Sequence, residues 1–304
     1  MKIKFLGAMF LVIIFAFSFC QEDKPAAYKR KIIGEWFSVE KRFLRDINLS
    51  EQEFQPPPPP FTFKVGYTFY ENDSVEIKNG IFHYYPPALN KAGLGEIKFI
   101  GNKTKFKING DNLEIINTNL NYRDARKILK ISDDSLFLIE RDTNFNGIET
   151  TYLQKFKKYK GLTDSTIEFD AIKLKETACY GNCPVCDIII KNSGEVYFNG
   201  IRYCSKVGYY TSHISKEKFN ELANNFKKIN LLSLSNDFHV SCTDMPSAYI
   251  YFYKRGKLIK KIRDYGCAAP TELVCAYNQL GNLYHELTLE KIEDKLGEQF
   301  FENN

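Results

Sequence analysis

Two folds in series are predicted: an all-β antiparallel barrel or sandwich first, then an α+β domain with two hairpins and two helices. Three observations carry this. Lys31 to Tyr159 holds no cysteine and little helical periodicity, and its short β-rich runs are separated by turn signals. After Ser215, two apolar stripes recur at helical spacing. Seven of the eight cysteines lie in the last half of the chain. The 304 residues, 44% of them hydrophobic and 15% aromatic, suffice for two cores.

The chain opens with an export signal. Lys2 and Lys4 form a positive n-region, and Phe5 to Phe19 is an uncharged run of signal-peptide length, short for a membrane span. Cys20 followed by Gln21, Glu22, Asp23 and Lys24 resembles a bacterial lipoprotein signal, which implies lipidation at Cys20 and a membrane anchor. Phe17 and Phe19 depart from the small and leucine residues that such signals favour. A cut after Ser18, at the A-x-A-like Ala16-Phe17-Ser18, is the competing processing, and an uncleaved anchor is the third. The expected organisation is a signal peptide at 1–19, a tether at 20–30, a barrel domain at 31–159, a linker at 160–165, an α+β domain at 166–290 and a tail at 291–304. The expected location is the bacterial cell envelope, facing the periplasm or the cell surface.

Expected strands in the first half run over 61–70, 74–77, 80–85, 95–100, 103–108, 112–116, 127–131, 136–140 and 150–157. Asn79-Gly80, Asn109-Gly110-Asp111, Asp133-Asp134 and Asn146-Gly147 supply turns between them. Lys103, Lys105 and Lys107 alternate with Thr104, Phe106 and Ile108, the pattern of one wet and one buried face. Pro56 to Pro60 is an extended left-handed helix, read as a stiff loop insert or as a docking strip for an aromatic groove. Asp142 to Gly147 imitates the start of a calcium loop, but Leu153 stands where the loop needs Glu, so a hairpin turn is expected.

Gly34-Glu35-Trp36, with the only tryptophan of the chain, is similar to the G-x-W opening of lipocalin-like domains. The order of Tyr67 to Tyr70, the run FKINGDNLEII, the run ILKISDDSLFLIE and the closing TTYLQKFKKY fits that family's rhythm. The resemblance spans 31–159 and implies a closed antiparallel barrel able to hold a small apolar ligand, with Trp36 as a ligand contact. The alternative is that Trp36 plugs the floor and side chains fill the interior.

In the second half, 167–174 is an expected strand, and 187–191 pairs with 195–198 around Asn192-Ser193-Gly194. Ser215 caps a helix whose stripe is Phe219, Leu222, Ala223, Phe226 and Ile229, with Ile214 and Phe219 as a hydrophobic staple. A second hairpin, 248–253 with 257–263, turns at Arg255-Gly256. Pro270 starts the last helix, with the stripe Leu273, Tyr277, Leu280, Tyr284 and Leu287. Three motifs resemble one uncharacterised bacterial domain family often found in lipoproteins: C-x-G-x-C-P (with Gly181 and Pro184), T-D-x-P (Thr243, Asp244, Pro246) and D-Y-G (Asp264, Tyr265, Gly266). That resemblance implies no activity.

Cys179, Cys183 and Cys186 also match the C-x₃-C-x₂-C of iron–sulfur radical enzymes. An exported chain with a hairpin after the motif argues against a cluster. Disulfides are favoured over zinc, most of the seven distal thiols are expected to pair, and Cys179–Cys183 and Cys267–Cys275 are the expected bonds. No cofactor and no metal is expected. His83, His213, His239 and His285 are scattered. No G-x-S-x-G elbow and no P-loop occurs, and a net charge of +5 with no basic run longer than Lys29-Arg30-Lys31 gives no nucleic-acid footprint.

The function expected from these residues is a tethered envelope protein that binds a small apolar molecule in its barrel. Second is a structural or interaction protein with an envelope partner and no small ligand. Third is an enzyme built on Asp244, Asp264 and Tyr265, which ranks last because no nucleophile–base arrangement is legible.

Overall fold

The computed structural model describes residues 23–44, 64–85, 96–117, 122–143, 149–161 and 167–302. The signal stretch with Cys20, the proline run at 56–60, the core of the calcium-like turn at 144–148 and most of the linker lie outside the described residues.

A short helix, α1 (Lys24–Ile32), precedes the first barrel strand. It replaces the expected tether: Pro25 sits in its first turn, Lys29, Arg30 and Lys31 face its C-terminal end, and Ile32 is fully buried. The strands β1 (Gly34–Leu44), β2 (Gly66–Phe69), β3 (Ser74–Tyr85), β4 (Glu96–Asn109), β5 (Asn112–Asn117), β6 (Tyr122–Ile131), β7 (Ser135–Thr143) and β8 (Glu149–Lys158) close into an antiparallel barrel in sequence order. β1 closes it by pairing with β8, Trp36 opposite Lys158 and Phe43 opposite Tyr152, across a bulge between Ser38 and Glu40.

The expected turn at Asn79-Gly80 is a bulge instead, and β4 has a matching irregularity opposite it. Gly80 takes φ +84° inside β3, where the register with β4 shifts between Glu76 and Ile81, and Gly101 takes φ +128° inside β4. The glycines therefore bend continuous strands, as barrel curvature requires, rather than ending them. Lys103, Lys105 and Lys107 are exposed and Phe106 is buried, as their alternation demands.

The second half is one eight-stranded sheet in the order β13-β15-β14-β9-β10-β11-β12-β16. Its strands are β9 (Ala171–Glu176), β10 (Val185–Lys191), β11 (Glu195–Arg202), β12 (Gly208–His213), β13 (Asp237–His239), β14 (Ser247–Lys254), β15 (Lys257–Tyr265) and β16 (Glu290–Lys291). Both expected hairpins form, β10–β11 and β14–β15, each with a register shift. Helix α2 (Lys216–Lys227) is capped by Ser215, whose hydroxyl accepts from Lys218 N at 3.2 Å, and it buries Phe219, Leu222, Ala223 and Phe226. The expected tail instead holds α4 (Asp294–Glu302), which lies on the sheet's other face and stacks Phe300 on Tyr197 with ring centroids 4.2 Å apart.

Helix α3 (Thr271–Asn282) joins the two halves. One face carries Leu273, Tyr277 and Leu280 into the sheet's core. The opposite face meets β1, β2 and β3 of the barrel. Thr271 Oγ1 donates to Ser38 O at 2.7 Å, Asn282 Nδ2 donates to Asn79 O at 3.0 Å, and Gln279 bonds Glu76. Cys275 lies on this second face, 1% exposed, with Asn79 Oδ1 3.5 Å from its sulfur. Its position off the apolar stripe does not call for a disulfide, because a helix clamped between two layers is buried all round.

His285 follows α3 and stacks on Phe99 of the barrel, centroids 4.9 Å apart and planes 16° apart. Burial lowers its pKa from 6.5 to about 4. The unfolded chain then binds the extra proton, so this contribution to stability is present above pH 6.5 and falls as pH drops toward 4. Thermal melts of the wild type and of His285→Phe across that range check this. The wild type loses more stability on acidification than the variant, and parallel curves contradict the assignment.

Candidate functional site

The barrel interior is layered. Alternation along β8 puts Phe156, Gln154 and Tyr152 on its inner face, and the register carries the same layers round the wall. The floor is apolar and filled: Trp36, Phe69, Leu113, Leu136, Leu138 and Phe156 are each at most 1% exposed. Trp36 Nε1 donates to Ile32 O at 2.6 Å, and the Lys158 ammonium sits 5.2 Å from the centre of the indole. Trp36 thus plugs the end that α1 covers.

Above the floor lies a charged belt that sequence reasoning missed. Arg126 bonds Tyr67 Oη at 3.0 Å and Gln154 Oε1 at 3.2 Å, and its other nitrogens reach Asp124 at 2.8 Å and Glu140 at 3.5 Å. Lys41 pairs with Glu140 at 2.9 Å. The formal charges of Arg126, Lys41, Asp124 and Glu140 balance. Burial works against the Arg126 charge, but Tyr67, Asp124 and Glu140 outweigh it and raise its pKa. Burial likewise pushes against the Glu140 carboxylate, and Arg126 and Lys41 overcome it, holding its pKa low. Burial pushes the Tyr67 hydroxyl up to about 12. The available signal was phase: Asp124 and Arg126 share a strand face with Ile128, so they point inward with it.

Beyond the belt, Phe43 and Tyr152 meet edge to face, centroids 6.0 Å apart, and the Lys41 ammonium lies 4.4 Å from the Tyr152 ring centre. At this end β1, β3, β5 and β7 finish and β2, β4, β6 and β8 begin. It is therefore the end opposite the α1 plug.

The three sequence motifs converge at one end of the second sheet. Cys179 and Cys183 are bonded, with Cα atoms 5.7 Å apart, and Gly181 N donates to Cys179 Sγ at 3.3 Å. Tyr180 N donates to Asp244 O at 3.0 Å, Met245 N to Tyr265 Oη at 3.1 Å and Gly266 N to Pro246 O at 2.9 Å. Gly266 has φ +70°, and a Cβ there would lie 2.4 Å from Val240 Cγ2. Each motif thus fastens the next.

Asp264 is 1% exposed; Ala269 N donates to its Oδ1 at 3.1 Å and Tyr277 Oη to its Oδ2 at 3.0 Å. Thr243 and Asp244 are exposed in their turn. Asp264 and Asp244 occupy different environments, and Tyr265 braces a backbone. A small cleft of about 140 Å³ opens beside them, lined by Glu176, Cys183, Pro184, Pro246, Asp264 and Cys267 among others. Cys267 and Cys275 are separate thiols, correcting the expected clip. Cys267 faces Tyr277, whose hydroxyl lies 3.5 Å from its sulfur, while Cys275 faces the barrel. Among the described residues, Cys179–Cys183 is the disulfide, and Cys186, Cys204, Cys242, Cys267 and Cys275 are free. No group of three or more His, Cys, Asp or Glu side chains among the described residues is placed to hold a metal.

A family model described as "Domain of unknown function (DUF6438)" matches residues 170–284, the span that carries all three motifs. No curated protein matches the chain. Among solved structures, the chain is similar to bovine odorant binding protein in complex with a selenium-containing odorant, at 15% identity and a TM-score of 0.23, over 43% of this chain and 71% of that one. The strand order itself makes the first half a closed, eight-stranded antiparallel barrel.

Proposed function

We propose that the chain is an exported bacterial envelope protein, lipid-anchored at Cys20, whose barrel binds a small, largely apolar molecule at the end opposite the α1 plug. The signal-like first residues support the address. The observation that carries the binding reading is the Arg126 belt. Buried charge is costly, and a barrel interior serving stability alone is better filled by apolar side chains. The belt places hydrogen-bonding groups beneath an aromatic pair, Phe43 and Tyr152, at the end opposite the α1 plug. Its charges balance, so the fitting ligand is neutral, with an apolar body and one polar end directed at Arg126, Gln154 and Tyr67.

The test is titration of the full chain with N-phenylnaphthylamine, a neutral apolar fluorophore. Saturable enhancement is expected, and the double variant Phe43→Ala/Tyr152→Ala is expected to weaken it about tenfold. Absence of saturation in the folded wild type contradicts the reading.

Tyr180 favours a second reading, an envelope interaction protein. It is 92% exposed at the tip of the disulfide-closed loop, an aromatic presented to solvent on a fastened turn. Loss of a captured envelope partner on Tyr180→Ala, with fluorophore binding intact, would support that role.

A further inference from the structure

Cys186 and Cys204 meet at the open end of the β10–β11 hairpin. Cys186 stands opposite Gly200 in the hairpin register, and Cys204 follows two residues after β11 ends at Arg202. Cys186 is 1% exposed, whereas Cys204 is half-buried at the edge of the same core. The two side chains lie near enough to perturb each other's ionisation, Cys204 raising the Cys186 pKa and Cys186 lowering that of Cys204. Cys204 Sγ also lies 3.3 Å from the Val185 carbonyl oxygen. On the other neighbouring strand, Glu176 is opposite Cys186, and Cys186 Sγ donates to Glu176 Oε2 at 3.3 Å. Two thiols and a proton acceptor are thus assembled on three adjoining segments, and neither the Cys179–Cys183 bond nor the three motifs uses them.

We propose that Cys186 and Cys204 form a second, reversible disulfide by exchange with an external disulfide, with Glu176 accepting the proton that Cys186 releases. Cys204 is the more accessible thiol and reacts first. Its thiolate attacks one sulfur of the external disulfide, forming a mixed disulfide and releasing one external thiol. Cys186 then loses its proton to Glu176 and attacks the Cys204 sulfur, releasing the second external thiol. Two protein thiols are oxidised to one disulfide, and one external disulfide is reduced to two thiols. The influence of Cys186 lowers the Cys204 pKa, which suits Cys204 as the first attacker. The influence of Cys204, with burial, raises the Cys186 pKa, so its proton leaves only to an acceptor in contact, and burial raises Glu176 to about 7, where it exchanges protons readily at neutral pH. The new bond ties down the turn that carries Ser205, whose Oγ lies 3.4 Å from Nδ1 of His285, the residue stacked on the barrel.

The test uses the full chain with oxidised glutathione as the external disulfide, followed by alkylation and non-reducing peptide mapping. The expected product links the peptides of Cys186 and Cys204 and leaves Cys242, Cys267 and Cys275 alkylated. Cys204→Ser is expected to leave Cys186 without a glutathione adduct. Glu176→Gln is expected to give the same product at least about tenfold more slowly at neutral pH. Alkylation of both Cys186 and Cys204 after prolonged exposure, or linkage of Cys204 to any other cysteine, overturns the proposal. An unchanged rate in Glu176→Gln removes the carboxylate from the step.

Discussion

Replacing Arg126 with methionine is expected to destabilise the protein by about 3–5 kcal/mol, the cost of leaving buried charge uncompensated. Arg126 is the only cation bonded to Asp124 among the described contacts, and it also supports Tyr67, Gln154 and Glu140. Its side chain is 14% exposed, so water replaces little of what is lost. Methionine matches much of its length but none of its donors. Adding Asp124→Asn to the variant is expected to restore part of the loss, because it removes the stranded carboxylate. Urea unfolding of the wild type, the single and the double variant measures this. A loss below about 1 kcal/mol for Arg126→Met would place the belt in a wet environment.

Asp264→Ala is expected to cost about 2–5 kcal/mol, and Asp264→Asn far less. The alanine variant strands the buried Ala269 N and leaves Tyr277 Oη only its weak 3.5 Å contact to the Cys267 sulfur, each lost bond costing about 1–3 kcal/mol. Asparagine keeps an acceptor for Ala269, and its amide can donate to the Tyr277 oxygen, which in turn reaches Cys267. pH separates the two carefully. Burial raises the Asp264 pKa above its ordinary 3.8, despite the bonds from Ala269 and Tyr277 that favour the carboxylate. A raised acid contributes stability that is complete below the unfolded value and is lost as pH rises through the folded one. Asp264→Asn therefore gains on the wild type as pH rises from about 4. Equal melting temperatures for the alanine and asparagine variants contradict the role of Asp264 as the pin of the D-Y-G loop.

The barrel was legible because its strands alternate and its turns carry Asn, Gly and Asp. Lys103 to Ile108 shows both, and Asn109-Gly110-Asp111 ends at a real turn between β4 and β5. Asn79-Gly80 carries the same letters but bends a strand, since a glycine at positive φ serves a turn and a bulge equally. The Ser215 cap and the stripe from Phe219 to Phe226 were legible because capping and helical period agree. Cys275 was not: its neighbours on the second face of α3 come from the barrel, far away in the chain. The Arg126 belt was obscured by composition, because Tyr122 to Ile131 is rich in charge and only its phase relative to Ile128 shows which charges turn inward. The motif residues lay in three separate segments whose order was readable. Their fastening to one another depends on backbone bonds such as that from Tyr180 to Asp244, to which the side-chain pattern gives no clue.

The claim that the barrel is a binding site is tested most directly by energy transfer from Trp36, the chain's only tryptophan, to bound N-phenylnaphthylamine. Trp36 lies in the floor beneath the belt, so a fluorophore seated between Phe43, Tyr152 and Arg126 is within transfer range. The predicted result is quenching of Trp36 emission that saturates at the same fluorophore concentration as the fluorophore's own enhancement, with both shifted together in Phe43→Ala/Tyr152→Ala. Fluorophore enhancement without Trp36 quenching, or quenching unmoved by that double variant, would contradict it.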